Sequence, residues 1–559
     1  MSKRYVRTGS IIAVLLFLGG AGASAATAQH AYVRLRQGKL EGRVDSAGVS
    51  SFKDIPYAKS PVGDLRWKPP VAAKGWAGIR KATSFGPSCV QPVLPAKNIY
   101  ADNITKMSEN CLSLNVWRPA HAHNLPVVVW IYGGALAVGS SSEPMYDGRN
   151  LASHGVVFVS FNYRLGPLGW LALPALSRES PHGVSGNYGL LDQIAALTWV
   201  HRNIAAFGGN PDNVTIMGES AGALSVTYLL ASPLAHGLFQ KAIAESPNMR
   251  SFPDLKQAKH GLPAAEKIGS RLERVLHVSS LKQLRALPAK EIIRAAIMTG
   301  FRPQGTIDGY VFPQQIVKIF DQDEEARVPV MAGFNSDEIQ TLRAMLPPTP
   351  ASSAVYLHKI RAGYGDLAPA FLKLYPADDM NASMLATLRD AVFGWATERI
   401  VRGEAALGEP SYLYVFDHHY RAAQARGLDA FHASELPFVF GQIGATASLP
   451  PNWPRPSGHG NEALSKAMMN YWISFARSSV PSAPGQDRWA TFSPDKRYMR
   501  FGSRPVLASG PYPGMYALNN TVVHRRLNAG NQQWFFNVGV QAIPPIPGPK
   551  TSVPAKPQM

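Results

Sequence analysis

Runs of consecutive apolar residues alternate along the chain with segments in which apolar residues recur at helical spacing. The runs at 127–131, 214–217 and 412–416 are typical of strands that are buried on both faces. The run at 190–204 has helical spacing, and residues 221–230 are compatible with a helix. This alternation predicts an α/β protein with a large, mostly parallel central sheet and helices on both faces.

One predicted strand-to-helix transition contains the pentapeptide Gly-Glu-Ser-Ala-Gly at 218–222. A serine at the apex of such a turn projects its hydroxyl clear of the sheet, and the flanking glycines let strand and helix approach closely. A serine hydroxyl is a poor nucleophile at neutral pH, so it needs a base, and the base needs an orienting acid. We therefore predict that Ser220 is a nucleophile. The alternative is a chance match, since glycine is common in this chain.

A second candidate element lies upstream, where the strand at 127–131 runs directly into Tyr-Gly-Gly-Ala at 132–135. Ester hydrolysis builds negative charge on the carbonyl oxygen, and preorganised backbone N–H groups stabilise that charge. The expected donors of this oxyanion hole are the N–H groups of Gly133, Gly134 and Ala221. The alternative is that the glycine pair only ends a strand.

Six further motifs give the chain a resemblance to a known family, the type-B carboxylesterases and lipases of the α/β-hydrolase class. This family includes bacterial p-nitrobenzyl esterases and, more distantly, cholinesterases. The motifs are Phe-Lys-Asp-Ile-Pro-Tyr-Ala at 52–58, Pro-Val-Gly-Asp-Leu-Arg at 61–66, Ser-Glu-Asn-Cys-Leu-Ser-Leu-Asn-Val-Trp at 108–117, Asn-Tyr-Arg-Leu-Gly at 162–166, Gly-Asn-Tyr-Gly-Leu-Leu-Asp-Gln at 186–193 and Phe-Gly-Gly-Asn-Pro at 207–211.

The resemblance covers roughly residues 30–525 and implies an α/β-hydrolase fold. Because the motifs are spread over most of the 559 residues, we expect one catalytic domain over residues 30–540. Helical insertions at about 250–325 and 340–410 are expected to roof an active-site gorge.

The resemblance also supplies candidates for the acid and the base. The family places a glutamate in a Gly-x-Asn-x-x-Glu stretch after a strand, which implies Glu338. It places a histidine before a Ser/Glu-Leu-Pro stretch, which implies His432. The order Ser220, Glu338, His432 is that of α/β-hydrolases. Asp337 competes with Glu338, and the pair at 418–419 competes with His432.

Two further residues match supporting positions of the family. Glu219 corresponds to a glutamate that lines the base of the gorge, and its alternative is a simple polar turn residue. Ser246 corresponds to a buried serine that supports the acid of the triad. The resulting prediction is a serine carboxylesterase with an acyl-enzyme on Ser220, in which His432 is the general base and acid and Glu338 orients it.

The chain departs from the family pattern at three positions. Many relatives have His-Gly-Gly-Gly at the oxyanion loop, whereas this chain has Tyr132 at the first position and Ala135 at the fourth. Tyrosine at the first position also occurs in the cholinesterase branch, so we expect an intact hole. Ile339 follows the candidate acid where relatives usually have glycine, which makes the geometry of that loop the open question.

Substrate choice is less constrained by the sequence. Cholinesterases bind the quaternary ammonium with a tryptophan inside a disulfide loop, but the only aromatic residue between 89 and 111 is Tyr100. We therefore expect poor selectivity for choline esters. Phe393 and Trp395 fall in the insertion that lines the acyl side in relatives, although such aromatics are as often core residues. The alternatives are an esterase for anionic polycarboxylate or toxin-like esters, a lipase, or a non-catalytic recognition protein.

The charge balance is strongly basic, with a formal net charge of +19. One interpretation is a solvated basic surface, and the other is attraction of anionic esters. No basic-aromatic module or metal-spaced cluster of cysteine and histidine is evident, so we predict a small-molecule ester as partner, without nucleic acid, metal or cofactor. The sequence leaves the oligomeric state open.

The two ends of the chain differ from the rest in composition. A basic segment with Lys3, Arg4 and Arg7 precedes a short apolar run at 11–18, which is typical of a signal peptide over 1–25, cleaved near Ala25 or Ala28. We therefore expect export to the periplasm or the exterior of a bacterium, with no transmembrane segment after cleavage. The proline-rich stretch at 543–559 predicts a disordered tail.

The chain has two cysteines, Cys89 and Cys111. In an exported protein they are expected to pair, and the bridge would close a loop of about 22 residues worth roughly 3 kcal/mol. The family resemblance implies the same disulfide, with a salt bridge between Arg66 and Glu109 beside it. The alternative is two unpaired buried thiols.

Overall fold

The computed structural model describes residues 29–102, 104, 106–493, 495–544, 546 and 548, together with Met1. The predicted signal peptide and most of the predicted tail therefore lie outside the described residues. Among the described residues, thirteen strands form one sheet. They are β1 (His30–Leu35), β2 (Gly38–Val44), β3 (Ser50–Pro56), β4 (Ile79–Lys81), β5 (Ser113–Arg118), β6 (Leu125–Ile131), β7 (Val157–Phe161), β8 (Gly209–Glu219), β9 (Lys241–Glu245), β10 (Val330–Asn335), β11 (Ser411–Phe416), β12 (Arg497–Phe501) and β13 (Pro505–Ser509).

The sheet is parallel in its centre and antiparallel at its margins. Its strand order is β1-β2-β3-β5-β7-β6-β8-β9-β10-β11-β12-β13, and β4 pairs with β2. From β7 to β12 all neighbours are parallel, whereas β1, β2, β3 and β5 form antiparallel pairs, as do β5 with β7 and β12 with β13. The mostly parallel sheet of the sequence analysis is confirmed.

Burial explains why the central strands could be recognised in the sequence as continuous apolar runs. Every residue of β7, β9, β10 and β11 is buried, and so are all residues of β6 after Leu125. A strand covered on both faces is a continuous apolar run, whereas β1 alternates exposed and buried residues because one of its faces meets solvent.

Helices cover the sheet and fill the long insertions. They are α1 (Arg149–Ser153), α2 (Gly166–Trp170), α3 (Pro174–Glu179), α4 (Tyr188–Asn203), α5 (Ala221–Ala231), α6 (Ala265–Val275), α7 (Leu281–Ala286), α8 (Ala289–Met298), α9 (Ile316–Asp321), α10 (Ser353–Tyr364), α11 (Ala368–Leu374), α12 (Met380–Arg389), α13 (Trp395–Ala406), α14 (Arg421–Gln424), α15 (Leu436–Val439), α16 (His459–Ser478) and α17 (Met515–Ala529). The helices predicted at 190–204 and 221–230 are confirmed as α4 and α5, and the two insertions carry α6–α9 and α10–α13. No helix in the described part of the chain has the length and apolar character needed to cross a bilayer.

A π-helical turn at Asp390–Gly394 joins α12 to α13. Such turns often occur at functional sites because the extra residue re-aims a side chain. Here the ring of Phe393 packs against the imidazole of His432, with 5.1 Å between ring centroids. Trp395, in contrast, is a core residue whose indole N–H donates to Asn520.

The loop before β5 is held by a covalent and an ionic contact. Cys89 and Cys111 form the predicted disulfide. Beside it, Arg66 Nε donates to Glu109 Oε2 at 2.7 Å, as predicted. Arg66 also donates to the carbonyl of Leu287 at 2.8 Å, so the same side chain ties this loop to the helical insertion.

Candidate active site

The turn between β8 and α5 holds Ser220 in an unusual backbone conformation, with φ +55° and ψ −117°. A non-glycine residue in this region costs of order 1–3 kcal/mol, so the surrounding structure must enforce it. The Ser220 N–H donates to the carbonyl of Glu245 at 2.9 Å, which fixes the turn to the next strand. The strand, sharp turn and helix predicted from the pentapeptide are therefore present.

Glycine is required on both sides of this turn. A Cβ on Gly222 would lie 1.9 Å from the carbonyl oxygen of Ile131, and one on Gly218 would lie 2.6 Å from the backbone of Gly222. Both distances are shorter than any real Cβ contact, so a side chain at either position would force α5 away from β6 and β8. The pentapeptide is thus a packing requirement as well as a motif.

The predicted oxyanion loop, residues 132–135, lies directly against Ser220. A Cβ on Gly133 would be 3.2 Å from the Cβ of Ser220. Within the described residues, the N–H groups of Gly133 and Gly134 donate no hydrogen bond to the protein, and Ala221 opens α5, where N–H groups have no intrahelical partner. Ala135 adopts φ +56° and is exposed, so alanine at the fourth position takes a left-handed conformation that favours glycine.

The predicted acid and base meet at the carboxyl ends of β10 and β11, beside the end of β8. His432 donates a hydrogen bond from Nδ1 to Oε2 of Glu338. The other oxygen of Glu338 accepts from Ser246 Oγ at 2.5 Å and from the N–H of Asn335 at 2.9 Å. Glu338 is fully buried, so these bonds fix the carboxylate and, through it, the imidazole. Ile339 is buried in the short helical turn that begins at Glu338, which leaves the loop geometry intact.

The rival residues of the sequence analysis lie elsewhere. Asp337 Oδ2 is 3.1 Å from Nε2 of His419, and His418 Nε2 lies 2.7 Å from Asn461 Oδ1. Asp337, Asp417 and His419 also place ligand atoms within 4.8 Å of one another near the surface. The contacts of His419 with both aspartates, at 3.1 and 3.3 Å, account for that arrangement.

Nε2 of His432 faces Glu219 rather than the serine. It lies 3.1 Å from Glu219 Oε1, and the hydroxyl of Ser220 forms no hydrogen bond within the described part of the chain. Catalytic hydrogen bonds are often long without substrate and tighten when it binds. Burial lowers the pKa of His432, but the carboxylates of Glu219 and Glu338 outweigh burial and raise it to about 9.

Two more buried glutamates, Glu435 and Glu245, surround this group, and neither was predicted from the sequence. Glu435 accepts from Asn335 Nδ2 at 2.5 Å, and Glu245 accepts from the indole N–H of Trp472 at 2.6 Å. Burial raises the pKa of Glu435 to about 7 and also raises that of Glu245. Glu245 lies immediately before Ser246, and Glu435 lies three residues after His432. Proximity to these predicted site residues was the signal in the sequence that could have identified them.

Two cavities meet at Ser220 and His432. The first, of about 500 Å³, is lined by the disulfide loop, by Trp453, and by the acidic residues Asp102, Glu143 and Glu219. We call it the acidic cavity. The second, of about 830 Å³, is lined by Phe393, by Ala221, and by Arg250 and Arg302. We call it the arginine cavity.

Tyr100 connects the loop closed by the disulfide to His432. Its hydroxyl donates to the carbonyl of His432 at 2.9 Å and lies 2.6 Å from Thr341 Oγ1. Its ring packs edge-on against Trp453, with 5.9 Å between centroids. The aromatic wall of the acidic cavity therefore includes a tryptophan from a distant segment, which inspection of the disulfide loop alone could not find.

Comparisons with known proteins identify the family of this chain. The model of the carboxylesterase family matches residues 29–518. The chain is similar to a fumonisin B1 esterase of Sphingopyxis macrogoltabida, with 36% identity over 519 residues that cover 90% of this chain and 93% of the relative. It is also similar to a para-nitrobenzyl esterase of Bacillus subtilis, with 34% identity over 478 residues that cover 84% of this chain and 94% of the relative.

Solved structures give the same result. A structure titled PNB esterase aligns with a TM-score of 0.76 and 32% sequence identity, covering 88% of this chain and 99% of that one. The α/β-hydrolase fold expected from the sequence is confirmed by this likeness and by the sheet described above. The chain belongs to the carboxylesterase family and is a carboxylic ester hydrolase.

Proposed function

We propose that this esterase works through an acyl-enzyme on Ser220, with His432 as general base and acid and Glu338 as the orienting acid. The observation that carries this proposal is the imidazole of His432, which is hydrogen-bonded to the buried Glu338 on one side and borders the cavities at Ser220 on the other.

The residues divide the reaction in the following way. His432 Nε2 takes the proton of Ser220 as Oγ attacks the ester carbonyl, and the negative charge develops on the carbonyl oxygen. The N–H groups of Gly133, Gly134 and Ala221 stabilise that oxygen. The imidazolium, held by Glu338, then protonates the leaving alcohol. Water repeats the sequence on the acyl-enzyme and releases the carboxylic acid.

The test is hydrolysis of a p-nitrophenyl ester series, from acetate to palmitate, by the wild type and by Ser220→Ala. We expect turnover in the wild type and a loss of about a thousandfold or more in the variant. Ser225→Ala is the matched control, because Ser225 lies one turn further along α5 and donates to the carbonyl of Ala221 without lining either cavity. Substantial esterase activity in a folded Ser220→Ala protein would refute the mechanism.

We also infer that the protein is exported. The predicted signal peptide over residues 1–25 and the disulfide between Cys89 and Cys111 support this proposal, because disulfides persist in oxidising compartments. Fractionation of a bacterial host should recover activity outside the cytoplasm. Sequencing of the mature N-terminus should place cleavage near Ala25 or Ala28, and an intact N-terminus on cytoplasmic protein would contradict the inference.

A further inference from the structure

The two cavities that meet at Ser220 differ in their ionisable residues, which are acidic in one and basic in the other. Within the described residues, the acidic cavity has three carboxylic side chains and no lysine or arginine in its lining. The arginine cavity has Arg250 and Arg302 and no aspartate or glutamate. An ester bound at Ser220 must place its acyl part on one side and its alcohol part on the other, so the cavities discriminate between the two halves.

Arg250 is a half-buried cation without a counter-charge. Its Nε donates to Asn248 Oδ1 at 3.1 Å, and its guanidinium lies 4.5 Å from the centroid of the Phe535 ring. Among the described residues, no carboxylate lies within ion-pair distance of it. Burial lowers its pKa, and the charge of Arg302 lowers it further. Partial desolvation of a cation without a counter-charge is unfavourable, so an anion bound beside Arg250 would be stabilised.

Arg302 presents a second guanidinium to the same cavity. It is exposed, and its guanidinium lies 5.2 Å from the centroid of the Phe536 ring. The described residues give it no acidic partner either. Stacking on the adjacent rings of Phe535 and Phe536 limits the orientations of both guanidinium planes. Planar guanidinium groups of this kind bind carboxylates through paired hydrogen bonds.

The contact between His432 and Glu219 supports an assignment of the two halves of the ester to the two cavities. The leaving alcohol must receive its proton from Nε2, and Nε2 points to Glu219 Oε1 at 3.1 Å, in the wall of the acidic cavity. His432 and Ser220 line both cavities, whereas Glu219 lines the acidic cavity alone. In the mechanism proposed above the alcohol therefore leaves on the side of Glu219, and the acyl chain is assigned to the side of Arg250 and Arg302.

We propose that the preferred substrates are esters whose acyl part carries a second, free carboxylate, as in monoesters of dicarboxylic and tricarboxylic acids, and that Arg250 and Arg302 bind this carboxylate. The proposal rests on the acyl-enzyme mechanism above. During the reaction the acyl C–O bond of the ester breaks, His432 protonates the alcohol, and water supplies the hydroxyl group of the released acid. The second carboxylate stays ionised and unchanged.

The test compares two ethyl esters of equal chain length, monoethyl adipate and ethyl hexanoate, followed by ethanol release. We expect the ratio of their kcat/KM values to favour the anionic ester in the wild type. Arg302→Gln and Arg250→Gln should each lower that ratio about tenfold or more, because each removes a charge-assisted hydrogen bond to the substrate. Monoethyl succinate and glutarate extend the series to shorter distances between ester and carboxylate.

Arg361→Gln is the control for net charge, because Arg361 is an exposed arginine of α10 that lines neither cavity. It should leave the ratio unchanged. Should Arg250→Gln fail to fold, Arg302→Gln and the salt dependence of the wild-type ratio still decide the question. A wild type that prefers ethyl hexanoate, or variants that keep the ratio, would overturn the substrate assignment alone. A wild type that hydrolyses neither ethyl esters nor p-nitrophenyl esters would instead overturn the proposed function.

Discussion

The acidic cavity and the arginine cavity share Ser220 and His432, yet burial affects their charges in opposite ways. In the acidic cavity burial raises the pKa of Glu143 and of Glu219 to about 8, so each of these carboxyl groups can gain or lose a proton near neutral pH. In the arginine cavity burial lowers the pKa of Arg250, but an arginine stays charged at any physiological pH.

This difference determines what each cavity requires of a ligand. A carboxyl group that can take up a proton becomes neutral and is then compatible with a neutral alcohol. A guanidinium keeps its proton and its positive charge, so it is stabilised by a negatively charged ligand. The contrast therefore favours a neutral leaving alcohol on one side and an anionic acyl group on the other. The following changes test it, from the largest expected effect to the smallest.

The largest effect is expected from Glu338→Gln. In the proposed mechanism Glu338 orients His432, and His432 lines both cavities. The amide cannot stabilise the imidazolium or hold its tautomer, so kcat should fall about a thousandfold or more for anionic and neutral esters alike. Asp337→Asn is the matched control, since Asp337 pairs with His419 instead. Equal losses in the two variants would show that the wrong carboxylate has been assigned.

A large change in pH dependence is expected from Glu219→Gln. The carboxylate of Glu219 helps to raise the pKa of His432 to about 9. In the proposed mechanism His432 must be neutral to accept the proton of Ser220. Removing this charge lowers that pKa, so the acidic limb of the kcat/KM profile should move to lower pH.

Glu143→Gln is the control for this shift, because Glu143 lines the same cavity but is not among the charges that raise the pKa of His432. A shift of the Glu219→Gln profile to higher pH, or equal shifts in the two variants, would contradict the arrangement.

A moderate effect is expected from truncating one aromatic residue in each cavity. Trp453→Ala enlarges the acidic cavity and should change kcat/KM several-fold across a series of alcohols. Phe393→Ala enlarges the arginine cavity and should change kcat/KM several-fold across a series of acyl chains. The reverse pattern would show that the two halves of the ester occupy the opposite cavities.

The smallest effect on catalysis is expected from Cys89→Ser combined with Cys111→Ser. Loss of the bridge should lower the free energy of unfolding by about 3 kcal/mol, measured by chemical denaturation. Because the bridged loop forms a wall of the acidic cavity, the remaining change should appear in alcohol selectivity and not in acyl selectivity. Unchanged stability would mean that other contacts, such as Arg66 with Glu109, already hold the loop.

The parts of the site that could be predicted from the sequence are those encoded by neighbouring residues. The turn at Ser220 is fixed by glycines two residues away on either side, and the strand before Gly133 is a continuous apolar run. Glu338 and His432 were predicted only through resemblance to a family. Their contact joins residues 94 positions apart, and no local pattern specifies it.

The arginine cavity could not be predicted because its residues come from distant segments. Arg250 follows β9, Arg302 follows α8, and the rings beneath them belong to Phe535 and Phe536. In the sequence these arginines were only two contributions to a net charge of +19. Only the folded structure shows that the two arginines line one cavity beside the proposed nucleophile, without an acidic residue in that lining.

The most direct test of the central claim is to trap the acyl group on the protein. Rapid quenching after mixing with p-nitrophenyl acetate, followed by peptide mass spectrometry, should locate the acetyl group on Ser220. A burst of p-nitrophenol close to one equivalent per protein molecule should accompany it, and both should be absent in Ser220→Ala. An acetyl group on any other residue that forms and decays at the turnover rate would contradict the account.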